Sequence, residues 1–94
     1  MIILQIEHRV PSFEGWKKLF DSDPIDRKGS GCRYYRIYRP LDDPGNVIVD
    51  LEFDKLAEAE ATLAALRKLW NRVEETVMTG PKARILNIVE SKEY

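Results

Sequence analysis

The sequence predicts an α+β fold in which two helices cover one face of a four-stranded antiparallel sheet. Strand-length and helix-length patterns follow one another in the order βαββαβ. Only a short turn separates the second and third strands, so they form a hairpin. This order is the split βαβ pattern of ferredoxin-like folds. Right-handed crossovers then place the strands in the order 4-1-3-2.

Composition limits the protein to one small domain that spans residues 1–94. Charged residues make up 33% of the chain, but the net charge of −1 offers no basic excess for nucleic acid or a membrane surface. No apolar run approaches the roughly 18 residues of a membrane span. The apolar start lacks the basic segment and cleavage site of a signal peptide. The single cysteine, Cys32, excludes an internal disulfide, and we expect a cytoplasmic protein.

The first strand opens the chain and contains the only histidine. Pro11 ends this strand because proline has no N–H for the ladder. His8 therefore lies near the end of the strand, in the register of its apolar side chains. Since successive side chains alternate between the two faces, one face is buried and the other is mixed polar. The buried face comprises Ile2, Leu4, Ile6, His8 and Val10.

The first helix follows the first strand directly. Ser12 is expected to be its N-cap, because a serine hydroxyl accepts from the free amides of the first turn. Phe13, Trp16 and Phe20 recur at helical spacing and form one apolar stripe. If the helix folds back over the strand, Trp16 or Phe13 lies near His8.

The segment between the first helix and the hairpin is rich in helix-breaking residues. Pro24 ends the helix, and Asp23 with Pro24 is expected to start a smaller helical piece over 25–28. The Gly-Ser-Gly run at 29–31 breaks the chain before a second strand at Cys32–Arg39. Which face of that strand points to the helices stays open, because both faces carry tyrosine and arginine.

The hairpin closes at Pro44-Gly45, which suits the two central positions of a type II turn. The third strand, Val47–Phe53, alternates in the same sense as the first. Its apolar face carries Val47, Val49, Leu51 and Phe53. Its opposite face carries Ile48, Asp50 and Glu52.

The second helix is long, and its apolar residues recur in steps of three and four. Asp54 is expected to be its N-cap and Gly80-Pro81 its end. The last strand is then expected at about 83–89. The apolar stripe, which we expect to face the sheet, comprises Leu56, Ala59, Leu63, Leu66, Trp70, Val73 and Val77.

The sheet face away from the helices is too apolar to be left wet and too charged to be a dry core. It combines isoleucines with acidic, amide and basic side chains: Ile3, Gln5, Glu7, Arg36, Ile48, Asp50 and Glu52. A second copy packed against this face would bury the isoleucines and let the charges pair. The sequence therefore predicts a homodimer joined through these sheet faces.

Several functions of ferredoxin-like proteins are excluded because the residues that they need are missing. The first strand has no aromatic side chain on which an RNA base could stack. One cysteine cannot form the Cys-x-x-Cys of a metal chaperone, and no glycine-rich phosphate loop follows a strand. The only histidine has Glu7 on the opposite strand face, which makes a poor metal site. We therefore expect no metal, no cofactor and no nucleic-acid partner.

Five segments of the chain carry a resemblance to known proteins. They are His8-x-Val10-x-Ser12-Phe13-x-x-Trp16-Lys17, Phe20-Asp21, Arg39-Pro40-x-Asp42-Asp43-Pro44, the strand VIVDLEF and Gly80-Pro81. With them the chain resembles a group within the dimeric α+β barrel superfamily, whose members look like antibiotic-biosynthesis monooxygenases and are often labelled "cyclase". The resemblance spans nearly the whole chain, although the group typically has an acidic residue where Ser12 stands.

This resemblance implies a dimer whose sheets meet face to face as a barrel, with a pocket between the sheet and the helices of each subunit. Related monooxygenases oxidise electron-rich aromatic compounds without metal or flavin. His8 would be the general base or a hydrogen-bond donor, since its ordinary pKa of about 6.5 suits proton transfer at neutral pH. Trp16 would wall the pocket, and Tyr35 would supply an orienting hydroxyl. Phe13 and Trp70 would complete the lining.

Each of these candidate residues also has a structural interpretation. His8 could instead hold a backbone group or the start of the helix, and Trp16 could belong to the core. The tyrosines and arginines of the second strand could bind an anionic aromatic compound, or form the hairpin surface and dimer contacts. Asp50 and Glu52 could form an acid–base pair, or be neutralised by Arg36 or another cation across the dimer.

The sequence thus predicts a homodimer that binds a small aromatic or apolar molecule. If it is an enzyme, we expect cofactor-independent oxygenation or proton-transfer chemistry. The alternative is a non-catalytic dimeric module that senses a ligand or contacts another protein. A cavity that reaches His8 favours the enzyme, whereas a fully hydrogen-bonded His8 without a cavity favours the module.

Overall fold

The secondary structure follows the order expected from the sequence. The structure is a computed structural model and describes residues 1–73 and 79–94. Within them, neither helix has the length and apolar character needed to cross a membrane. The elements are β1 (Ile2–Arg9), α1 (Phe13–Asp21), β2 (Cys32–Tyr38), β3 (Asn46–Phe53), α2 (Leu56–Val73) and β4 (Thr79–Asn87).

The four strands form one antiparallel sheet in the order β2-β3-β1-β4, which is the order 4-1-3-2 seen from the other edge. The ferredoxin-like fold class is therefore confirmed. β1 pairs with β3 without interruption, and Leu4 lies opposite Leu51 and His8 opposite Val47. All four side chains are buried under the helices, as expected for this face. We refer to it as the covered face, and to the other side of the sheet as the open face.

The pairing of β2 settles which of its faces points to the helices. Tyr35 lies opposite Leu51, and Ile37 lies opposite Val49. Because both partners are buried on the covered face, the two β2 residues point to that face as well. A register shift near the start of β2 sets this alternation. The open face of β2 carries Tyr34, Arg36 and Tyr38.

The start of β4 differs from the expectation. Gly80 and Pro81, expected to end the second helix, lie within β4, so this strand begins before residue 83. The register against β1 shifts here, and both residues lie opposite the single residue His8. A bulge on an edge strand accommodates them, because Gly80 has a positive φ of 58° and proline needs no ladder partner at an edge.

α2 places much of its predicted stripe against the sheet. Ala59 is fully buried, and Leu66 and Trp70 are 9% and 8% exposed. Leu56, expected to begin the stripe, is 51% exposed at the first position of the helix. Val77, expected to end the stripe, lies outside the described residues.

The expected cap of α2 is wrong by one residue. The helix begins at Leu56, and the backbone N–H of Lys55 donates to the carboxylate of Glu58 at 3.2 Å. That contact is one half of a capping box, with Lys55 in the cap position. Asp54 instead pairs with Arg33 at 2.7 Å, on the side facing β2.

The segment 25–28 forms turns and not the small helix that the sequence predicted. Asp23 and Asp26 have positive φ values of 54° and 52°, which aspartate tolerates but a right-handed helix does not. The carboxylate of Asp23 does act as a local cap, because it accepts the backbone N–H of Arg27 at 2.9 Å. This irregular loop lies beside the covered face.

The hairpin turn is centred where the sequence placed it. The N–H of Asn46 donates to the carbonyl of Asp43 at 3.1 Å, which makes Pro44 and Gly45 the central residues. Gly45 does not adopt a positive φ, so the turn is not of type II.

Candidate functional site

The imidazole of His8 is buried on the covered face of a central strand. The side chain is 3% exposed, and no described residue provides a hydrogen-bond partner for its Nδ1 atom. Burial lowers the pKa of His8 to about 4, because the charged imidazolium is poorly solvated there, and the backbone of His8 itself offsets only part of this effect. That local contact lacks the geometry of a hydrogen bond, so Nδ1 stays open to a better partner. The ring is therefore neutral at pH 7 and can accept or donate one hydrogen bond at each nitrogen according to its tautomer.

The first helix brings an indole against this imidazole. The hydroxyl of Ser12 accepts the N–H of Gly15 at 3.2 Å, which confirms the predicted N-cap. From that cap, α1 returns over β1 and buries Trp16, which is 4% exposed. The ring centroids of Trp16 and His8 are 5.4 Å apart, with their planes tilted by 56°. The predicted proximity of helix and histidine is confirmed for Trp16.

A cavity of about 60 Å³ lies between the sheet and both helices. Apolar side chains form most of its lining, and the only polar or charged groups among its described lining residues belong to His8, Arg27 and the indoles of Trp16 and Trp70. Ligand pockets usually begin at about 300 Å³. An aromatic ring can therefore enter only if part of the lining moves.

The charged member of this lining is an arginine from the loop between α1 and β2. The guanidinium carbon of Arg27 lies 3.9 Å from the ring centroid of Phe20 and 5.1 Å from that of Tyr35. Its Nη1 donates to the carbonyl of Phe20 at 2.8 Å and lies 3.3 Å from a carboxylate oxygen of Asp23. The side chain is only 16% exposed, so the cation is held in place at the cavity wall.

The structure brings together some of the predicted pocket residues and separates others. His8, Trp16 and Trp70 line the cavity. Phe13 packs on Trp16, with ring centroids 5.8 Å apart, but does not line it. Tyr35 lines a neighbouring polar cleft and not the cavity. The lining residues that the sequence did not assign to the pocket are Ile6, Leu19, Phe20, Pro24, Ile25, Arg27, Val49, Leu51, Leu66 and Leu69.

The missed residues differ in the signal that could have found them. Leu66 and Phe20 belong to the two helical stripes, so a helix-to-sheet packing argument could have added them. Pro24, Ile25 and Arg27 lie on turns whose direction depends on two left-handed aspartates. No local pattern in the sequence indicates that this loop folds over the histidine.

The described residues offer no cluster of three or more His, Cys, Asp or Glu side chains that could hold a metal ion. Cys32 is half-buried, and this burial raises the pKa of its thiol. The protonated thiol is a weak nucleophile and a weak ligand. Its Sγ lies 3.3 Å from the carbonyl of Tyr34, which suits a local hydrogen bond.

The open face carries a hydrogen-bonded row that crosses all four strands. The hydroxyl of Tyr38 and the amide of Gln5 both donate to the carboxylate of Asp50, each at 3.0 Å. Arg84 donates to the amide oxygen of Gln5 at 2.7 and 3.0 Å. Asp50 thus accepts two hydrogen bonds from neutral donors of its own subunit.

A second pair lies beside this row. The hydroxyl of Tyr34 donates to the carboxylate of Glu52 at 2.9 Å, and this bond raises the pKa of Tyr34. Glu52 is 7% exposed although it lies on the open face. Its burial in a single subunit shows that the centre of this face is already partly dry.

Comparison with known proteins gives structural but no sequence-level matches. No family model matches the chain, and no curated protein matches it in sequence. A candidate antibiotic biosynthesis monooxygenase from Deinococcus radiodurans is similar over 100% of this chain and 98% of its own, with a TM-score of 0.69 and 18% identity. A dimeric ferredoxin-like protein from an uncultured marine organism is similar over 97% of both chains, with a TM-score of 0.67 and 13% identity.

The cofactor-independent oxygenase SnoaB from Streptomyces nogalater, solved as a point mutant, is also similar. The match covers 96% of this chain and 94% of SnoaB, with a TM-score of 0.76 and 9% identity. The chain has the fold of these monooxygenase-like, ferredoxin-like proteins. At these identities the likeness establishes the fold alone, and it is the fold that the resemblance in the sequence implies.

Proposed function

We propose that this protein is a homodimer that binds a small aromatic molecule under the helices of each subunit and oxygenates it without a cofactor. The observation that carries the proposal is the Nδ1 atom of His8, which is buried beside an apolar cavity and has no partner among the described residues. Leaving a buried polar atom unpaired costs about 1–3 kcal/mol. A ligand hydroxyl that donates to this nitrogen would recover that free energy.

The loop after α1 is the part of the cavity lining best able to admit a ring. Pro24 and Ile25 line the cavity but lie on turns, whereas most other lining residues belong to helices or strands. Segments with few ladder or helix hydrogen bonds open at a lower free energy than packed elements. Displacement of these two side chains would enlarge the cavity without breaking the sheet.

A phenol would be a suitable ligand for a neutral imidazole in this setting. A phenol has a pKa of about 10, so proton transfer to His8 with a pKa of about 4 is uphill by roughly 8 kcal/mol before the ions attract each other. A turnover of about one per second corresponds to a barrier of roughly 17 kcal/mol. The free energy of the proton transfer therefore lies below the barrier of the whole reaction. Attraction between the two buried ions lowers it further.

The similar solved structures support oxygenation as the reaction type, because they include proteins described as monooxygenases and as a cofactor-independent oxygenase. A phenolate is electron-rich and can react with O2 directly. For a dihydroxynaphthalene, one oxygen atom of O2 would become a ring carbonyl and the other would leave as water with both displaced hydrogens. His8 would accept the phenol proton and return it to that water.

The open face supports the homodimer. It is rich in apolar and tyrosine side chains, and Leu86, Tyr34 and Tyr38 are 38%, 47% and 37% exposed in the single subunit. Its charged side chains nearly balance in sign: Glu7, Asp50 and Glu52 against Arg9, Arg36, Lys82 and Arg84, with Arg9 paired to Asp43 of the hairpin turn. A face that is self-complementary in charge suits a twofold contact with its own copy. One of the similar structures is itself described as a dimeric ferredoxin-like protein.

A second candidate function is a non-catalytic module that senses a ligand. The observation that favours it is the small volume of the cavity, about 60 Å³. A sensor can use a pocket that opens rarely, whereas a catalyst must open and close it in every cycle.

The test uses 1,5-dihydroxynaphthalene as the probe and follows O2 uptake together with quinone absorbance. We expect one O2 consumed for each quinone formed, above the rate in buffer. The variant His8→Phe, which keeps a ring but removes the base, should fall to the buffer rate while the protein stays folded. Thr62→Val is the matched control, because Thr62 is buried in α2 with an unpaired hydroxyl but does not line the cavity. The variant Thr62→Val should keep full activity.

Two results would refute the oxygenase. Undiminished turnover in His8→Phe would remove the histidine from the mechanism. Binding of the probe, seen in tryptophan fluorescence, without any O2 uptake would favour the sensing module instead.

A further inference from the structure

Arg27 lies between two spaces of different character. On one side it lines the apolar cavity with His8, and on the other it lines a polar cleft of about 620 Å³. Asp23 and Lys28 from the same loop, Asp54 from the segment before α2 and Glu58 from the first turn of α2 also line this cleft. Among the described lining residues, Arg27 is the cation that belongs to both spaces.

The contacts of Arg27 fix its guanidinium without using all of its donors. A guanidinium has five N–H donors in a planar fork. Both described polar contacts of the group, to Phe20 and Asp23, are made by Nη1. The carboxylate oxygen of Asp23 that Nη1 approaches also accepts the backbone N–H of Arg27, so this oxygen is shared between two donors. Nε and Nη2 remain able to bind a second carboxylate side by side.

The surroundings of the group strengthen such a contact. The guanidinium lies over the ring of Phe20, which keeps water from that side of the cation. Ion pairs gain strength as the local dielectric constant falls. Arg33, the other arginine of the cleft, is a poor competitor because it is already paired with Asp54 at 2.7 Å and is 62% exposed.

We propose that the molecule bound in the His8 cavity is a small aromatic carboxylate, and that Arg27 selects it by binding the carboxylate. The ring lies in the apolar cavity beside Trp16, and the negative charge remains at the cavity wall facing the polar cleft. His8 is neutral at pH 7, so Arg27 is the charged group among the described lining residues of the cavity, and it supplies the charge that discriminates. The inference rests on the proposed function in one respect, namely that an aromatic ring enters this cavity.

Benzoate and benzamide form a matched pair of probes, since they share a ring and a planar head group and differ in charge. Trp16 and Trp70 are the only tryptophans of the chain, and both line the cavity, so intrinsic fluorescence reports binding there. We expect benzoate to bind the wild-type protein about 10-fold more tightly than benzamide, as one charge-assisted contact provides. Arg27→Gln should abolish this preference by weakening benzoate alone.

Arg39→Gln is the matched control. Arg39 also lies over an aromatic ring of α1, 4.5 Å from the Phe13 centroid, and donates to the carbonyl of Pro44 at 2.9 and 3.1 Å. It does not line the cavity. This variant should keep the full preference for benzoate. If Arg27→Gln does not fold, Arg27→Lys should retain part of the preference, and that part should weaken as salt is raised.

The outcomes separate this inference from the proposed function. Equal affinity of the wild-type protein for both probes overturns the role of Arg27 but leaves an aromatic-binding cavity. An equal loss of both probes in Arg27→Gln assigns Arg27 a structural role and also overturns the inference. If neither benzoate nor benzamide changes the fluorescence, the proposed cavity itself is overturned, and the inference with it.

Discussion

The two faces of the sheet differ in whether their polar groups are hydrogen-bonded. On the covered side, the Nδ1 of His8 on β1 is buried without a partner among the described residues, as is the Oγ1 of Thr62 on the helix α2 above it. On the open side, Asp50 accepts hydrogen bonds from Tyr38 and Gln5, and the amide oxygen of Gln5 accepts one from Arg84. Both sides are parts of the same strands, so the contrast arises from what packs over them.

This difference indicates that the two faces of the sheet have different functions. A buried polar atom that lacks a partner is destabilising, and it persists where a ligand supplies the partner or where function requires it. A satisfied polar row between apolar side chains is what the centre of a specific protein interface requires, because any unpaired group there would oppose association. The contrast therefore supports ligand binding on the covered side and self-association on the open side.

The largest expected effect comes from a charge placed in the open face. Ile48 lies on β3 between the flanking strands of that face. Because a twofold dimer carries every substitution twice, Ile48→Lys should raise the dimer dissociation constant by about 100-fold or more. Sedimentation equilibrium measures this change. Leu41→Lys is the control, since Leu41 is fully exposed in the hairpin turn and its replacement should leave the dimer intact.

A wild-type protein that stays monomeric at all concentrations would contradict the proposed homodimer. Equal dissociation in both variants would do so as well, since it would show that the open face is not the contact.

A smaller effect is expected from protonation of His8. Burial lowers its pKa to about 4, whereas an unfolded chain keeps it at about 6.5. The unfolded state therefore binds more protons between these two pH values. The free energy of unfolding should be highest above about pH 6.5 and should fall by roughly 3 kcal/mol as the pH decreases to 4.

The free energy of unfolding is measured by urea unfolding at each pH for the wild-type protein and for His8→Phe, at one protein concentration. That variant should lack this share of the pH dependence, while carboxylates such as Asp43 contribute equally to both proteins. Parallel curves for the two proteins would mean that the imidazole is not held neutral by burial.

The smallest effect concerns the other unpaired atom of the covered side. Thr62 is 2% exposed, and its hydroxyl contributes no described hydrogen bond. Thr62→Val replaces the hydroxyl with a methyl of similar size and should raise the free energy of unfolding by about 1 kcal/mol. Thermal unfolding at pH 7 measures it. A loss of stability instead would show that this hydroxyl is hydrogen-bonded in solution.

The fold could be predicted from the sequence because it depends on local patterns of apolar and polar residues. Strict alternation fixed the faces of β1 and β3, and a capped apolar stripe fixed α1. The end of the second helix could not be placed, because Gly80-Pro81 is a helix-stop signal that an edge strand with a bulge can equally use.

The site could be predicted only where it rests on those same elements. His8 and Trp16 lie on regular strand and helix, and their proximity followed from the crossover. Arg27 was missed because its position depends on Asp23 and Asp26 adopting left-handed backbone angles, which no spacing rule indicates. The resemblance implies a pocket role for Tyr35, whereas this residue lines the adjacent cleft.

The most direct test of the contrast between the two faces is a chemical-shift map of the wild-type protein titrated with benzoate. We predict that the indole N–H signals of Trp16 and Trp70 and the imidazole signals of His8 shift together and saturate. The ring signals of Tyr34 and Tyr38 on the open face should stay unchanged. Shifts confined to Tyr34 and Tyr38, with His8 and both indoles unmoved, would contradict the account.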